Sequence, residues 1–263
     1  MAPPDSTIAD QQGTDGGDAN HRPTVVLTGA SRGIGHATVK RFSDEGWRVI
    51  TCSREPIPDE CRRDRNWTHH ITCDLADRRS LQAFIDQVQD LTDHAPLEAL
   101  VNNAAVSPKT PFQERLGCLN GDLEEWRLVF ELNFFAPLAL ARGFATSLGK
   151  AKGSVVNITS IAGHSIHPFA GSAYSTSKAA LSALTREMAV EFAQLGVKVN
   201  AVAPGEIETA MVSEEYDSLI PRIPLRRMGT PDEVAAAVYQ LCTKDFAYVT
   251  GTEIFVTGGQ HLF

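Results

Sequence analysis

Thr24-Val-Val-Leu-Thr-Gly-Ala-Ser-Arg-Gly-Ile-Gly35 begins as a short apolar strand over Thr24–Leu27 and turns through Gly29, Gly33 and Gly35. It then enters a helical pattern that reaches about Glu45. Glycine permits a tight turn and lets a ligand approach the backbone closely. The start of the following helix offers unpaired N–H groups and the positive end of the helix dipole, which suits a phosphate. Gly29, Ser31, Arg32, Gly33, Ile34 and Gly35 are therefore candidate cofactor residues. The spacing is neither the G-x-G-x-x-G pattern nor a P-loop, because the lysine and following Ser/Thr are missing, so a nucleoside triphosphatase is not indicated.

Downstream, the pattern alternates. Arg48–Thr51 reads as a second strand ending at Ser53-Arg54, the position that meets the adenosine ribose in a dinucleotide fold. An acidic residue there would accept from a 2′-hydroxyl, whereas arginine suits a 2′-phosphate, so Arg54 with Arg32 favours NADP(H) over NAD(H). Glu55–Asn66 is a polar, proline-broken loop, and Trp67–Thr72 is a third strand that delivers Asp74-Leu75 to the adenine side. Asp77 caps a helix over Arg78–Leu91, and Leu97–Val101 is a fourth strand ending at Asn102-Asn-Ala-Ala105. Strand and helix in short alternation predict a doubly wound α/β fold, a parallel sheet with helices on both faces and ligands at the strands' carboxyl ends.

Asp122 and Glu125 form a capping box for a helix containing Asn133 among apolar residues. Pro137 cannot donate to the Asn133 carbonyl, so a helix running through it would be distorted there, and that turn is a candidate water site. Ser154–Thr159 is a fifth strand delivering Ser160, and a helix from Ala173 to about Gln194 carries Tyr174 and Lys178 on one face. An ammonium beside a phenol favours the phenolate, so Lys178 is expected to lower the Tyr174 pKa and make it a proton donor and acceptor near neutrality. Val197–Ala203 is the sixth strand, Thr230-Pro-Asp-Glu233 a helix start, and Glu253–Thr257 the seventh strand.

The balance of 24 basic and 32 acidic residues, net −8, has no basic block and does not suggest nucleic acid. The five cysteines match neither a disulfide framework nor a zinc pattern, and reduced thiols in a cytoplasmic protein are expected. His164 and His167 have no carboxylate or third ligand nearby in sequence, so no metal site is expected and the pair is read as lining a pocket rim. Residues 1–22 are read as a disordered tail, and residues 23–263 as one catalytic domain. No run of roughly 20 apolar residues suggests a membrane span.

Taken together, Thr28-Gly-Ala-Ser-Arg-Gly-Ile-Gly35, Asp74-Leu75, Asn102-Asn-Ala-Ala105, Asn133, Ser160, Tyr174-Ser-Thr-Ser-Lys178 and Pro204-Gly-Glu-Ile-Glu-Thr209 resemble the short-chain dehydrogenase/reductase family. The resemblance covers essentially Pro23 to Gly259 and is to its compact, 3-oxoacyl reductase-like branch. It implies a Rossmann-like sheet of seven strands and a substrate-covering segment at about 205–230. Tyr174 would be the general acid for carbonyl reduction and the base for alcohol oxidation. Lys178 would bind the nicotinamide ribose, Ser160 would orient the substrate oxygen, and Asn133 would support a water. Asn102 and Ala104 would lie along the cofactor, with Pro204, Gly205, Ile207 and Thr209 by its nicotinamide half. The implied function is NADPH-dependent interconversion of a carbonyl compound and its alcohol in a homotetramer or homodimer. A 3-oxoacyl thioester reductase, or a dinucleotide-binding regulatory protein with little turnover, is the alternative. Ala105, Thr257 and a longer Ser160–Tyr174 loop depart from the usual family pattern.

Overall fold

The computed structural model describes residues 22–57, 65–111, 114–209 and 214–263, the side chains of 214 and 215 aside. All but Arg22 of the segment read as a tail lies outside the described residues, as do Cys61 and Met211. Among the described residues the strands are Thr24–Thr28 (β1), Arg48–Ser53 (β2), Trp67–Thr72 (β3), Ala99–Asn102 (β4), Ser154–Ile158 (β5), Lys198–Pro204 (β6) and Glu253–Val256 (β7). They pair in parallel as one sheet in the order β3-β2-β1-β4-β5-β6-β7. The central strands, Thr-Val-Val-Leu-Thr and Ser-Val-Val-Asn-Ile, are buried along their whole length, as a sheet covered on both faces requires.

The helices are Gly33–Asp44 (α1), Arg78–Thr92 (α2), Leu123–Phe130 (α3), Ala136–Ala151 (α4), Ser172–Ala193 (α5) and Pro231–Cys242 (α6). One face of the sheet packs on Phe84, Ile85 and Val88 of α2, Leu140 and Phe144 of α4, and Met188 of α5. The other packs on Val39 and Phe42 of α1 and Val234, Val238 and Leu241 of α6. Each such large side chain contributes about 1.5–3 kcal/mol when fully buried. The strand order reverses between β1 and β4, so the ligand crevice of this topology opens at their carboxyl ends.

The predicted caps are present: Asp77 accepts from Ser80 N, and complete capping boxes start α3 and α6. Strand ends differ from the sequence reading by one or two residues, the usual scatter of fraying termini. Leu123–Ala151 runs as 29 continuous helical residues, long and apolar enough to cross a membrane by length and composition alone. Its apolar face is occupied, with Leu140, Ala141, Phe144 and Leu148 in the core under the sheet.

At the far edge of the sheet, Lys198 Nζ donates to the carbonyls of Leu241 (3.0 Å), Thr243 (3.2 Å) and Phe246 (3.0 Å), closing the carboxyl end of α6 with a positive charge. Lys198→Met leaves these acceptors bare while keeping the aliphatic stem. It should destabilise the fold by about 1.5–3 kcal/mol, seen as a lower urea midpoint with an unchanged m-value.

Candidate active site

The glycine turn is locked to β4. Thr28 Oγ1 accepts from the backbone N–H groups of Asn103 and Ala104, both at 3.0 Å. Asn103 Nδ2 donates to the carbonyls of Thr28 (3.0 Å) and Gly29 (2.9 Å). Gly29 sits at φ +71° and Gly33 at +57°; a Cβ on Gly35 would collide with Gly29 O and lie 2.5 Å from Asn103 Nδ2. Asn103 is thus a site residue the sequence reading passed over, although its place in the doubled Asn at a strand end was visible. Across the crevice, a Cβ on Gly33 would stand 3.4 Å from Thr209 Cγ2, so the segment after β6 faces the glycine turn.

The crevice fits a dinucleotide. Side chains cap the amino ends of α2, α3 and α6, but α1 begins at an extended Arg32 with no side-chain cap and no acidic residue in its first turn. Its first N–H groups are left for an anion. Asn102 Nδ2 donates to Asn157 Oδ1 (2.8 Å), while its own Oδ1 is buried without a partner and can accept from a hydroxyl. Arg32 and Arg54 are exposed. Ser53 Oγ turns inward to Glu55 O (2.6 Å), a carbonyl that also lies 2.9 Å from His70 Nε2. Asp74 Oδ1 accepts from Ala76 N (3.0 Å) and Leu75 is buried, so this pair shapes the turn after β3. Ile207 and Pro204 are buried, and Gly205 N donates to Val256 O (3.0 Å), fixing the strand end from which Thr209 extends.

The predicted catalytic side chains converge. Ser160 acts on the Tyr174 phenol to lower its pKa, and its Oγ accepts from Ala162 N (3.2 Å). Lys178, 2% exposed, donates from Nζ to Ile158 O (2.7 Å) and sits 5.7 Å from the Tyr174 ring centre. Asn133 Oδ1 accepts from Val106 N (2.9 Å), and its Nδ2 donates to Val106 O and Ser177 Oγ, both at 3.0 Å. Ser177 Oγ in turn donates to the Tyr174 carbonyl (2.7 Å), so Asn133 reaches α5 through a side chain the sequence reading did not single out. The expected distortion is present as a π turn over Glu131–Phe135, in which Ala136 N–H bonds Glu131 O. Pro137 has no N–H for Asn133 O, which favours this wider turn.

The expected electrostatics are corrected. Burial raises the Tyr174 pKa, the Ser160 hydrogen bond opposes this, and Tyr216 and Glu206 raise it further. Lys178 does not supply the lowering read from the sequence: burial drives its own pKa down to about 7.

The two loop histidines have carboxylate partners from distant strands, which one-dimensional spacing could not reveal. His164 Nε2 lies 2.9 Å from Glu253 Oε2, and His167 Nε2 lies 2.7 Å from Glu206 Oε1. Both histidines line a cavity of about 410 Å³ together with Arg115 and Ser175. Thr257, one of the departures noted above, bonds His261 Nδ1 (2.7 Å), and that ring stacks on Phe255. Among the described residues no cluster of His, Cys, Asp and Glu could hold a metal.

A family profile described as enoyl-(acyl carrier protein) reductase matches residues 29–261. The chain is 51% identical to protein FixR of Bradyrhizobium diazoefficiens over 247 residues, 93% of this chain and 89% of that protein. It is 32% identical to the L-fucose dehydrogenase of Mus musculus, covering 90% of this chain and 88% of that one. The crystal structure of a Brucella ovis oxidoreductase of the short-chain dehydrogenase/reductase family, in complex with a partially ordered NAD, is similar at 48% identity. It covers 90% of this chain and all of that one with a TM-score of 0.79. The chain belongs to the short-chain dehydrogenase/reductase family, a Rossmann-fold group of nucleotide-binding oxidoreductases.

A lysine whose pKa is lowered on folding binds fewer protons in the native state than in the unfolded one, between about pH 7 and its ordinary value. Its burial therefore costs stability fully below pH 7, and the cost fades as pH rises through that window. Lys178→Met removes this dependence, so the melting temperature of the variant minus that of the parent should be more positive at pH 6 than at pH 10.

Proposed function

We propose that the protein is an NADPH-dependent oxidoreductase that interconverts a carbonyl compound and its alcohol. The observation that carries this reading is the pairing of Tyr174 with buried Lys178, 5.7 Å from its ring centre, next to the Ser160 strand end on the sheet edge that also bears the uncapped glycine turn. A nicotinamide dinucleotide, when bound, gives or takes the hydride. The glycine turn, the amino end of α1, Asn102, Pro204, Ile207 and Thr209 are the residues assigned to hold it. Ser160 donates to the substrate oxygen and steadies the negative charge that develops there. Tyr174, held protonated by its raised pKa, delivers the proton to that oxygen in reduction and takes it back in oxidation. Asn133 and Ser177 fix the backbone from which Tyr174 projects, and Lys178 presents a charge that changes near neutral pH.

Preference for the 2′-phosphorylated cofactor is supported by Arg32 and Arg54 at the adenosine side and by the absence of an acidic residue at Ser53-Arg54. The Brucella ovis relative was obtained with NAD, so NAD(H) remains the competing cofactor. Exposed Leu123, Leu128 and Phe135 on α3 and its continuation support self-association as a homodimer or homotetramer. Among the described residues, four free thiols support a reducing, cytoplasmic setting.

A second reading is a dinucleotide-binding regulatory or interaction protein with little turnover. The comparisons favour it more than the geometry does, because the relative at 51% identity has no activity in its name while the mouse enzyme named for one stands at 32%. Purified full-length chain, assayed by NADPH and NADH absorbance against a panel of ketones, aldehydes and alcohols, separates the two. Turnover that Tyr174→Phe lowers by about 10²-fold or more, with dinucleotide affinity retained, supports the enzyme. Tight dinucleotide binding with no hydride transfer to any substrate supports the second reading. Arg54→Ala should weaken NADPH binding by about tenfold and leave NADH nearly unaffected. Equal effects on both would sink the assignment of the arginine to the 2′-phosphate.

A further inference from the structure

Glu206 follows Pro204-Gly205 at the end of β6 and is only 5% exposed. Its Oε1 receives His167 Nε2 (2.7 Å) and Gln260 Nε2 (3.0 Å). The tautomer of His167 is set from the other side of the ring, where Nδ1 accepts from Phe169 N (3.1 Å) and Ala170 N (3.0 Å), leaving the proton on Nε2. Neutral imidazole and amide donors hold the carboxylate without cancelling its charge. That charge reaches the catalytic phenol, since Glu206 is among the groups that raise the Tyr174 pKa. The same space is walled by rings: Tyr216 lies 4.8 Å from Phe169 and 6.0 Å from His167. Three separate segments, the loop before α5, the end of β6 and the turn after β7, have been brought together to seat one acceptor at the carboxyl edge of the sheet.

We propose that Glu206, seated by His167 and Gln260, is the substrate-selecting group of this site, and that its substrates are neutral, hydroxyl-rich alcohols and carbonyl compounds of the polyol or aldose class. The proposal rests on the oxidoreductase reading above. An ionised carboxylate only accepts hydrogen bonds, so it rewards a substrate hydroxyl close to the reacting carbon. A site built to bond a hydroxyl discriminates strongly against an analogue lacking it, because the buried acceptor loses its partner. A carboxylate or phosphate on the substrate at this position would meet like charge in a poorly solvated space. A 3-oxoacyl thioester offers acceptors and hydrocarbon next to its reacting carbon but no hydroxyl donor there. The rings of Phe169 and Tyr216, inclined at 40° to each other, offer aromatic faces to the C–H groups of a sugar-like molecule.

The experiment uses full-length chain with oxidised dinucleotide and three matched groups of compounds. These are sorbitol, xylitol and glucose; gluconate and glucose 6-phosphate; and 2-octanol. The expected result is kcat/KM for the best neutral polyol or aldose about 10²-fold above the anionic and apolar compounds. Glu206→Gln keeps the shape of the side chain, and Gln260 Oε1, buried without a partner, can accept from the new amide. This variant should raise KM for the polyol or aldose about tenfold or more and leave KM for 2-octanol within about threefold. Preference of the parent chain for an anionic or apolar compound overturns the proposal, as does a variant that alters KM for all compounds alike.

Calorimetric binding of the polyols and aldoses to the dinucleotide-loaded chain is measured in parallel and needs no turnover. Binding that Glu206→Gln abolishes, without hydride transfer, upholds the role of Glu206 and overturns the enzyme reading. Absence of both polyol or aldose binding and their turnover overturns the role of Glu206, while turnover of another class leaves the enzyme reading standing.

Discussion

The crevice depends on four hydrogen bonds between Thr28, Gly29 and the Asn103-Ala104 backbone and amide. They tie the turn that ends β1 to the end of β4, the two strands between which the sheet reverses its order. Each bond contributes only about 0.5–1.5 kcal/mol, but together they leave the turn a single conformation. Gly29 and Gly33 take positive φ, and Gly35 lies too close to Gly29 O to carry a side chain. The amino end of α1 is aimed by this lock. Without it, the uncapped N–H groups would lose their fixed direction across the crevice.

A second constraint runs against stability. Lys178 is almost fully buried, its ammonium bonds one backbone carbonyl, and burial drives its pKa down to about 7. A hydrophobic residue of similar size would fold at lower cost, since charge is expensive to desolvate. The neighbouring polar chain has the opposite character: Asn102, Asn157 and Thr185 bond in series from β4 through β5 to α5 and rigidify the floor below the lysine. Buried polar groups that are paired order a core, whereas a buried cation held by one carbonyl marks a place where chemistry outweighs folding.

Much of the sheet was legible in the residues because its information is local. Thr24–Leu27, Trp67–Thr72 and the capping boxes at Asp122 and Thr230 each announce themselves within a few positions. Ser160, Tyr174, Lys178 and Asn133 stood at strand and helix ends that the alternation located. The π turn was half legible, because Pro137 reveals the missing donor but not how the helix absorbs it. What could not be read was everything set by distance in space. The partners Glu206 and Glu253 come from segments 39 or more residues away from the loop histidines. The direction of the Tyr174 shift was misread for the same reason: proximity of an ammonium in a helix says nothing about how deeply the phenol is buried.

The raised phenol and the depressed lysine are two views of one electrostatic balance. Burial penalises both charged forms, and Glu206 adds a negative charge that disfavours phenolate while Ser160 supplies the hydrogen bond that favours it. At neutral pH the proton therefore rests on Tyr174, the state required of an acid rather than a base. Lys178 titrates near neutrality, and its shift comes from burial alone. Raising the pH pulls protons from both, while a positive charge brought beside the phenol would draw out only the phenol's proton. The protonation of Tyr174 is thus a property of its burial and of the groups around it, Ser160, Tyr216 and Glu206 among them, and not of the Tyr/Lys spacing alone.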